Sequence, residues 1–395
     1  MAVENAARFA TLCERAQAMV PALRARAAAA ESARRLPQET IRELIDGGFF
    51  DLQKPARHGG LERGMEDLCQ LVAILARGCG STAWVFGVTA GRAWLLAKFR
   101  EQVQEEAWGG GKPGLVTSCI TPEGTAKRVE GGWLLTGHWH FVSGIDIADW
   151  AVFCAMAESV PAGGPAVPTY FAVPTSDCEV IDTWHVAGLA ATGSRDVRIT
   201  NAYVPDHRTA LMNDLRDGGG PGTAVNAAPV YRLPLIAINP YPILAPLLGM
   251  AEAAFELYYN HASSRRNQGT ATPLMANQAV QLRLSQAAAE IDAAWAMVRQ
   301  DCREAQATVE RGESLSVEQR LRIRRNHGFV TQLLVAAVDR LFTATGGRGI
   351  YLDHDMQRIF RDVHAAAVHI GLSWEITGTM WGQHKFGLPV TSQAY

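Results

Sequence analysis

Apolar positions in residues 6–30 recur at helical spacing within an Ala- and Arg-rich run, which predicts an amphipathic helix. Residues 37–50, PQETIRELIDGGFF, open on a proline and close on a glycine pair, the asymmetry expected of a second helix. Gly60 and Gly64 interrupt the pattern before a third helix at 68–76, and Ser81, after Gly80, is a candidate N-cap for a fourth. From about residue 115 to 205 the period falls to two. Runs such as GGWLLTGHWHFVSG, WAVFCAMA, TYFAVP and DVRITNAYVP are β-branched or aromatic and divided by Gly, Pro and Asp. They predict an antiparallel β-domain, a barrel or a sandwich. Residues 214–229, with four glycines in five positions, read as an exposed loop. After Pro246 long Ala-rich helical stretches follow at 247–264, 276–306, 316–344 and 361–381, the pattern of an up-and-down bundle. The predicted class is α+β, mostly α: an N-terminal helical domain at 1–113, a central β-domain at 114–228 and a C-terminal helical bundle at 229–395.

Composition narrows the function classes. The 395 residues are 48% hydrophobic and 19% charged, which excludes wholesale disorder. Lys and Arg number 37 against 39 Asp and Glu, and no polybasic run stands out, so nucleic acid and anionic membrane are excluded as main partners. The chain lacks an uninterrupted apolar run of roughly 18 residues, which argues against a spanning helix. Its first residues include Glu4 and Glu14 and lack the basic start of a secretory signal. The expected location is the cytoplasm. The cysteines at 13, 69, 79, 119, 154, 178 and 302 are odd in number and form no C-x-x-C pair, so reduced thiols packed as small hydrophobes are expected.

The common nucleotide, hydrolase and zinc-protease motifs are absent. His138 and His140 share one face of a predicted strand, but no carboxylate or further histidine lies at ligand spacing nearby, so no metal is expected. Alternation puts Trp139, Phe141 and Ser143 on the opposite face, where they either line a flat ring or form ordinary core. Thr345-Gly346-Gly347-Arg348-Gly349 either opens its backbone to a phosphate or carbonyl-rich ligand or caps the preceding helix. Arg265, at the head of Arg266-Asn267-Gln268-Gly269, either pairs with a pyrophosphate or stabilises a helix C-terminus. His364 and His369, five apart on one predicted helix, are separated by roughly 140° and cannot face the same narrow site.

The order of the three segments, with several motifs, resembles the acyl-CoA dehydrogenase superfamily across nearly the whole chain. Phe141-Val142-Ser143-Gly144 is similar to the family's W-I-T strand motif, the segment from Arg265 to its R-x-x-F-G, and Gly346-Gly347-Arg348-Gly349 with Arg361-Asp362 to its G-G-x-G and R-D. At the position of the dehydrogenases' glutamate base, in their Y-E-G-T motif, this chain has Ile370, which cannot abstract a proton. The closer resemblance is to the flavin-dependent monooxygenase branch, the oxygenase components of two-component aromatic hydroxylases such as those of hydroxyphenylacetate, of a ring-opened steroid phenol and of indoles. CGSTAWV, W-x-F-V-S-G, V-x-G-L-x-A-T-G-S, NAAPVYRLP, DRLF-x-A-T-G, RD-x-H-x-x-x-x-H and H-x-F-G-L-P carry it.

That resemblance implies a reduced flavin, delivered by a separate reductase, which reacts with O2 to a C4a-hydroperoxide and oxygenates an aromatic ring. Reduced FAD is the implied cofactor, with FMNH2 as the alternative. By position, Ser143 sits near flavin N5, and His369 beside the reacting face as acid, base or stabiliser. Trp84, Ser118, Cys119, Ile120, Phe141, Val142 and Ile370 contact the ring. Arg265, Gly346, Gly347 and Arg348 meet the phosphate and nucleotide end, which in the superfamily crosses a subunit interface and implies a homotetramer. Arg92 occupies the place of a histidine in phenol-hydroxylating relatives, so a simple phenol is in doubt, and an indole or polycyclic compound fits a pocket of Arg92, Trp94, Trp139 and Tyr241. The alternatives are an N-oxygenase of an amino substrate, an acyl-CoA dehydrogenase and a flavin-free oligomeric scaffold.

Overall fold

The computed structural model describes residues 2–159, 163–266 and 272–390; Asn267, Gln268 and Gly269 lie outside them. Helix α1 (Ala2–Ala33) runs through Pro21 and buries Ala16, Leu23, Ala27 and Ala30 as one stripe. Helix α2 (Gln38–Asp46) starts from Pro37 and ends at Gly47, followed by left-handed Gly48. Helices α3 (Met65–Ala76), α4 (Gly80–Leu96) and α5 (Glu101–Trp108) complete the first segment. The expected Ser81 cap is displaced, since α4 begins at Gly80 with Cys79 in the N-cap position and no side-chain cap. All residues of α4 are buried, which fits a helix apolar on every side. It can lie at the centre because Gly87 admits the backbone of residue 242: a Cβ there would stand 2.5 Å from the Pro242 carbonyl oxygen.

Strands β1 (Val116–Val129), β2 (Gly132–Val142), β3 (Trp150–Ala157), β4 (Val167–Pro174), β5 (Glu179–Ile181), β6 (Arg195–Pro205) and β7 (Thr209–Leu211) form a seven-stranded sheet in the order β5-β6-β2-β1-β3-β4-β7. This corrects the expected barrel or sandwich of purely antiparallel strands. The sheet is open, ending at both edges in three-residue strands, and β1 pairs with β3 in parallel. The reason is topological: β2 finishes where β1 began, so β3, with Trp150 opposite Val116, must run in the direction of β1. Period-two patterning says which residues face inward and nothing about the partner strand.

Short helices α6 (Met212–Arg216) and α7 (Leu235–Ile238) precede the bundle of α8 (Tyr241–Ser264), α9 (Gln278–Glu310), α10 (Val317–Thr345), α11 (Asp355–Ala367) and α12 (Trp374–Lys385). The loop at 214–229 is more buried than expected: Leu215 and Asn226 are inside, and Asn226 Nδ2 donates to the Ala97 carbonyl at 2.7 Å. Helix α8 begins six residues earlier than predicted, because Pro242 falls in the first turn, where its missing N–H has no partner to lose. The stretch Leu235–Ser264 is long and apolar enough to cross a membrane, yet 94% of its most apolar part is buried in the protein, as a core helix. Ser316 and Gln319 close a capping box on α10. The predicted helix at 361–381 is broken between Ala367 and Trp374, which takes His369 off the helix axis altogether. The seven cysteines are free.

Candidate active site

Helix α4 and the end of β2 meet at the centre of the molecule. On α4, Trp84, Val88 and Arg92 follow at intervals of four and share one face. At the end of β2 the pairing with β6 slips between Trp139 and Val142, and Phe141 takes φ 59. This bulge breaks the alternation expected to align Trp139, Phe141 and Ser143. Phe141 is 70% exposed, edge-on to Trp184; Ser143 is buried; Trp139 stacks on Phe153 inside the sheet and donates from Nε1 to the Cys154 carbonyl.

Ser143 heads a chain of hydroxyls. Trp84 Nε1 donates to Ser143 Oγ at 3.0 Å; Ser143 Oγ and Ser194 Oγ are 2.7 Å apart, as are Ser194 Oγ and Thr192 Oγ1; Thr192 Oγ1 donates to the Leu189 carbonyl at 2.8 Å. Each hydroxyl has a single proton. With the Thr192 proton on Leu189, Ser194 must donate to Thr192, and Ser143 must donate to Ser194. Ser143 is left with one lone pair for a ligand, as an acceptor only. The far end is fixed by Asp362, whose Oδ1 accepts the Leu189 N–H at 2.6 Å; burial pushes this carboxyl up to about 6. Ser194, Thr192 and Asp362 carry no role by sequence pattern alone, although the run A-T-G-S and the pair R-D mark their positions.

His369 lies in the break between α11 and α12, its ring centroid 6.0 Å from that of Trp84. Its Nδ1 accepts the Gly371 N–H at 3.0 Å, which leaves the ring proton on Nε2. The ring sits deep in the protein yet opens to solvent, as the wall of a cleft. Desolvation first, then the charges of Arg324 and Arg92, push it down to about 4, so it is neutral at pH 7. His364, on α11, instead faces Asp339 at 3.2 Å.

Arg92 is buried and its Nε donates to Ser118 Oγ on β1. Cys119 follows it, its thiol pushed up to about 11 by burial, and Ile120 is half-buried. Val142 is wholly buried, whereas Ile370 is 68% exposed and supplies no base. Trp94, on another face of α4, is fixed by a 2.7 Å bond to the Val230 carbonyl and lies under Lys98. Tyr241 is buried edge-on to His327 with its hydroxyl unbonded. The structure thus brings together Trp84, Arg92, Ser118, Ser143 and His369, and it packs Trp94, Trp139 and Tyr241 into core contacts. Arg265, Gly346, Gly347 and Arg348 are exposed at the ends of α8 and α10, and a Cβ on either glycine would meet nothing within 4 Å. The cleft therefore fits a flat ring that donates to Ser143, and the open glycines fit a phosphate-bearing tail.

Sheet pairing sets the Asp196 carboxylate on β6 beside both predicted strand histidines, with Oδ2 3.0 Å from His138 Nε2 and 2.8 Å from His140 Nδ1. These three ligand-type groups lie within 4.8 Å of one another, a proximity sequence spacing did not reveal.

The arrangement is that of a flavoprotein of the acyl-CoA dehydrogenase type. The chain matches the acyl-CoA dehydrogenase N-terminal domain over residues 11–112 and its C-terminal domain over 241–374, and it belongs to that family, in the branch of flavin-dependent monooxygenase oxygenase components. It is 35% identical to the flavin-dependent monooxygenase oxygenase subunit HsaA of Mycobacterium tuberculosis, over 94% of each chain. It is 34% identical to the oxygenase component of the FADH2-dependent resorcinol hydroxylase of Rhizobium sp., over 92% of this chain and 91% of that one. The crystal structure of 3-HSA hydroxylase from Rhodococcus sp. RHA1 superposes with a TM-score of 0.93 at 33% identity, covering 98% of this chain and 99% of that one.

Proposed function

We infer that this chain is the oxygenase component of a two-component flavin-dependent monooxygenase, using reduced flavin from a separate reductase and O2 to hydroxylate or epoxidise an aromatic compound. The observation that carries the reading is the acceptor-only Ser143 beside neutral His369 in one cleft, where a dehydrogenase would need a carboxylate at Ile370. When bound, reduced flavin supplies the electrons that split dioxygen, one atom entering the ring and the other leaving as water.

The protein's part is positioning and exclusion. Ser143 Oγ accepts an N–H of the ring, as reduced flavin presents at N5 and oxidised flavin does not. Trp84 holds Ser143 from the helix side and His369 from the cleft side. His369 Nε2 keeps its proton as a neutral donor for an oxygen atom that must not leave early. Phe141, Ser118, Cys119 and Ile120 form the sheet wall of the ring site, while Val142, expected beside them, is wholly buried in the sheet core. Arg265, Gly346, Gly347 and Arg348 take the phosphate end, which favours FAD over FMN. Their exposure, with that of Ile350, Leu352, Val368 and Phe386 on the bundle, supports a homotetramer in which a partner covers them.

The reading is tested with anaerobically reduced FAD mixed with isotopically heavy dioxygen and a panel of indoles, phenols, acidic phenols and aromatic carboxylates. One heavy oxygen in the aromatic product is expected. Bleaching of oxidised flavin by an acyl-CoA, with no oxygenated ring from any compound, would overturn it.

A further inference from the structure

Arg92 is 5% exposed, and although burial pushes its guanidinium down to about 10, it stays charged at pH 7. Of its five guanidinium N–H donors, Nε is satisfied by Ser118, and the Nη donors have no partner among the described residues. No carboxylate of the described residues lies within ion-pair distance of it. The titratable groups that sense its charge are Cys119 on β1, Tyr170 on β4 and His369 beyond α11. Burial keeps each of them neutral at pH 7: Cys119 is pushed up to about 11, Tyr170 well above its ordinary value and His369 down to about 4. Arg324, near His369, adds a second buried cation. The Tyr170 hydroxyl, within the same electrostatic neighbourhood, is buried without a hydrogen bond.

An uncompensated buried charge is destabilising by several kcal/mol, and removal of its partner from a buried pair is the usual way to create one. Here the missing partner is a ligand. We propose that Arg92 is the oxyanion receptor of the substrate site, and that the substrate is an aromatic compound that carries a carboxylate or an ionised acidic hydroxyl. The free Nη edge is a two-donor fork matched to such a group. Trp84 and Arg92 are eight residues apart on α4, about 12 Å along the axis, which leaves room for a ring between the flavin end and the anion end. An arginine cannot take the proton from a phenol as a histidine can, so the group must arrive ionised; neutral indoles and plain phenols lack the feature the site is built to bind. The proposal rests on the monooxygenase reading for the identity of the cleft, and the charge argument stands without flavin.

The test titrates the full-length protein, alone and with reduced FAD under anaerobic conditions, using 4-nitrophenol, 4-nitrobenzoate and the neutral isostere 4-nitroanisole. Nitrophenol colour reports its ionisation directly. Wild type should bind at least one of the anions on the order of tenfold to a hundredfold more tightly than nitroanisole. If nitrophenol is that ligand, it should bind as the yellow anion, below the pH at which it ionises in water. Preference for nitrobenzoate assigns a carboxylate, and preference for nitrophenol an acidic hydroxyl. Arg92→Met should abolish the difference, and Arg92→Lys should restore part of it. Equal affinity for all three compounds, or nitrophenol bound only in its neutral form with no nitrobenzoate binding, overturns the proposal. So does loss of anion binding in the reduced-FAD complex, which would make the flavin the counter-anion. Failure to bind reduced FAD with anion binding intact would sink the monooxygenase reading instead.

Discussion

Ser143 Oγ lies 2.7 Å from Ser194 Oγ, so its proton is directed away from the cleft and toward the sheet connection. The donor order is imposed from Leu189, whose carbonyl takes the Thr192 proton and whose N–H is held by Asp362. A serine free to rotate can donate or accept toward a ligand; this one, with its proton given to Ser194, can only accept.

Ser194→Ala removes that direction. The ratio of affinities for reduced over oxidised FAD should fall by about threefold to tenfold, the value of one hydrogen bond. Anaerobic fluorescence titration of both redox forms measures it. An unchanged ratio would show that Ser143 does not depend on Ser194.

His369→Ala should lower the product formed per reduced flavin oxidised by about tenfold or more, with the affinity for reduced flavin changed less than threefold. Because His369 is held down to about 4 in the folded protein, it stays uncharged as pH falls through the ordinary imidazole range. Product yield in the wild type should therefore show no step near pH 6.5 that His369→Ala removes. Such a step would mean that the ring titrates in its ordinary range.

Asp362 has the opposite linkage. Its folded pKa, about 6, lies above the unfolded value, so between about pH 4 and 6 the folded state binds more protons and stability falls as pH rises. Asp362→Asn keeps an acceptor for the Leu189 N–H and removes the charge. Its stability relative to wild type should rise by on the order of 2 kcal/mol from about pH 4 to pH 7. Urea unfolding at both ends of that range decides it, and a constant difference contradicts the raised pKa.

Leu352 and Phe386 are both more than four-fifths exposed, and the proposed tetramer would cover them. Leu352→Glu with Phe386→Glu should shift sedimentation from a tetramer to a smaller species and weaken FAD binding several-fold, with the circular-dichroism spectrum unchanged. A wild-type monomer in sedimentation removes the tetramer from the account.

Legibility in the sequence varied with the range of the interaction. Pro37 and the Gly47–Gly48 pair marked helix ends in advance because such signals act within a few residues, and the structure adds a local capping box at Ser316 and Gln319. The motifs carrying the family resemblance pointed to Ser143, Trp84 and His369, though alternation set Phe141 and Trp139 on the face of Ser143 and a helical period set His369 on a helix. One bulge at the end of β2 and one break after Ala367 undid both. Each local departure is stabilised by distant partners, Trp84 and Ser194 for the first and Arg324, through the Gly371 carbonyl, for the second.

The amino-acid order alone determined the succession of helices, strands and helices, because hydrophobic period and capping are properties of neighbours along the chain. The tertiary structure decided that the sheet stays open with a parallel pair, that Asp196 lies beside two histidines, that Ser143 offers a ligand only a lone pair, and that Arg92 is buried with no ion-pair partner among the described residues. Those are properties of atoms tens to hundreds of residues apart, whose hydrogen bonds and desolvation exist only once the chain has folded around them.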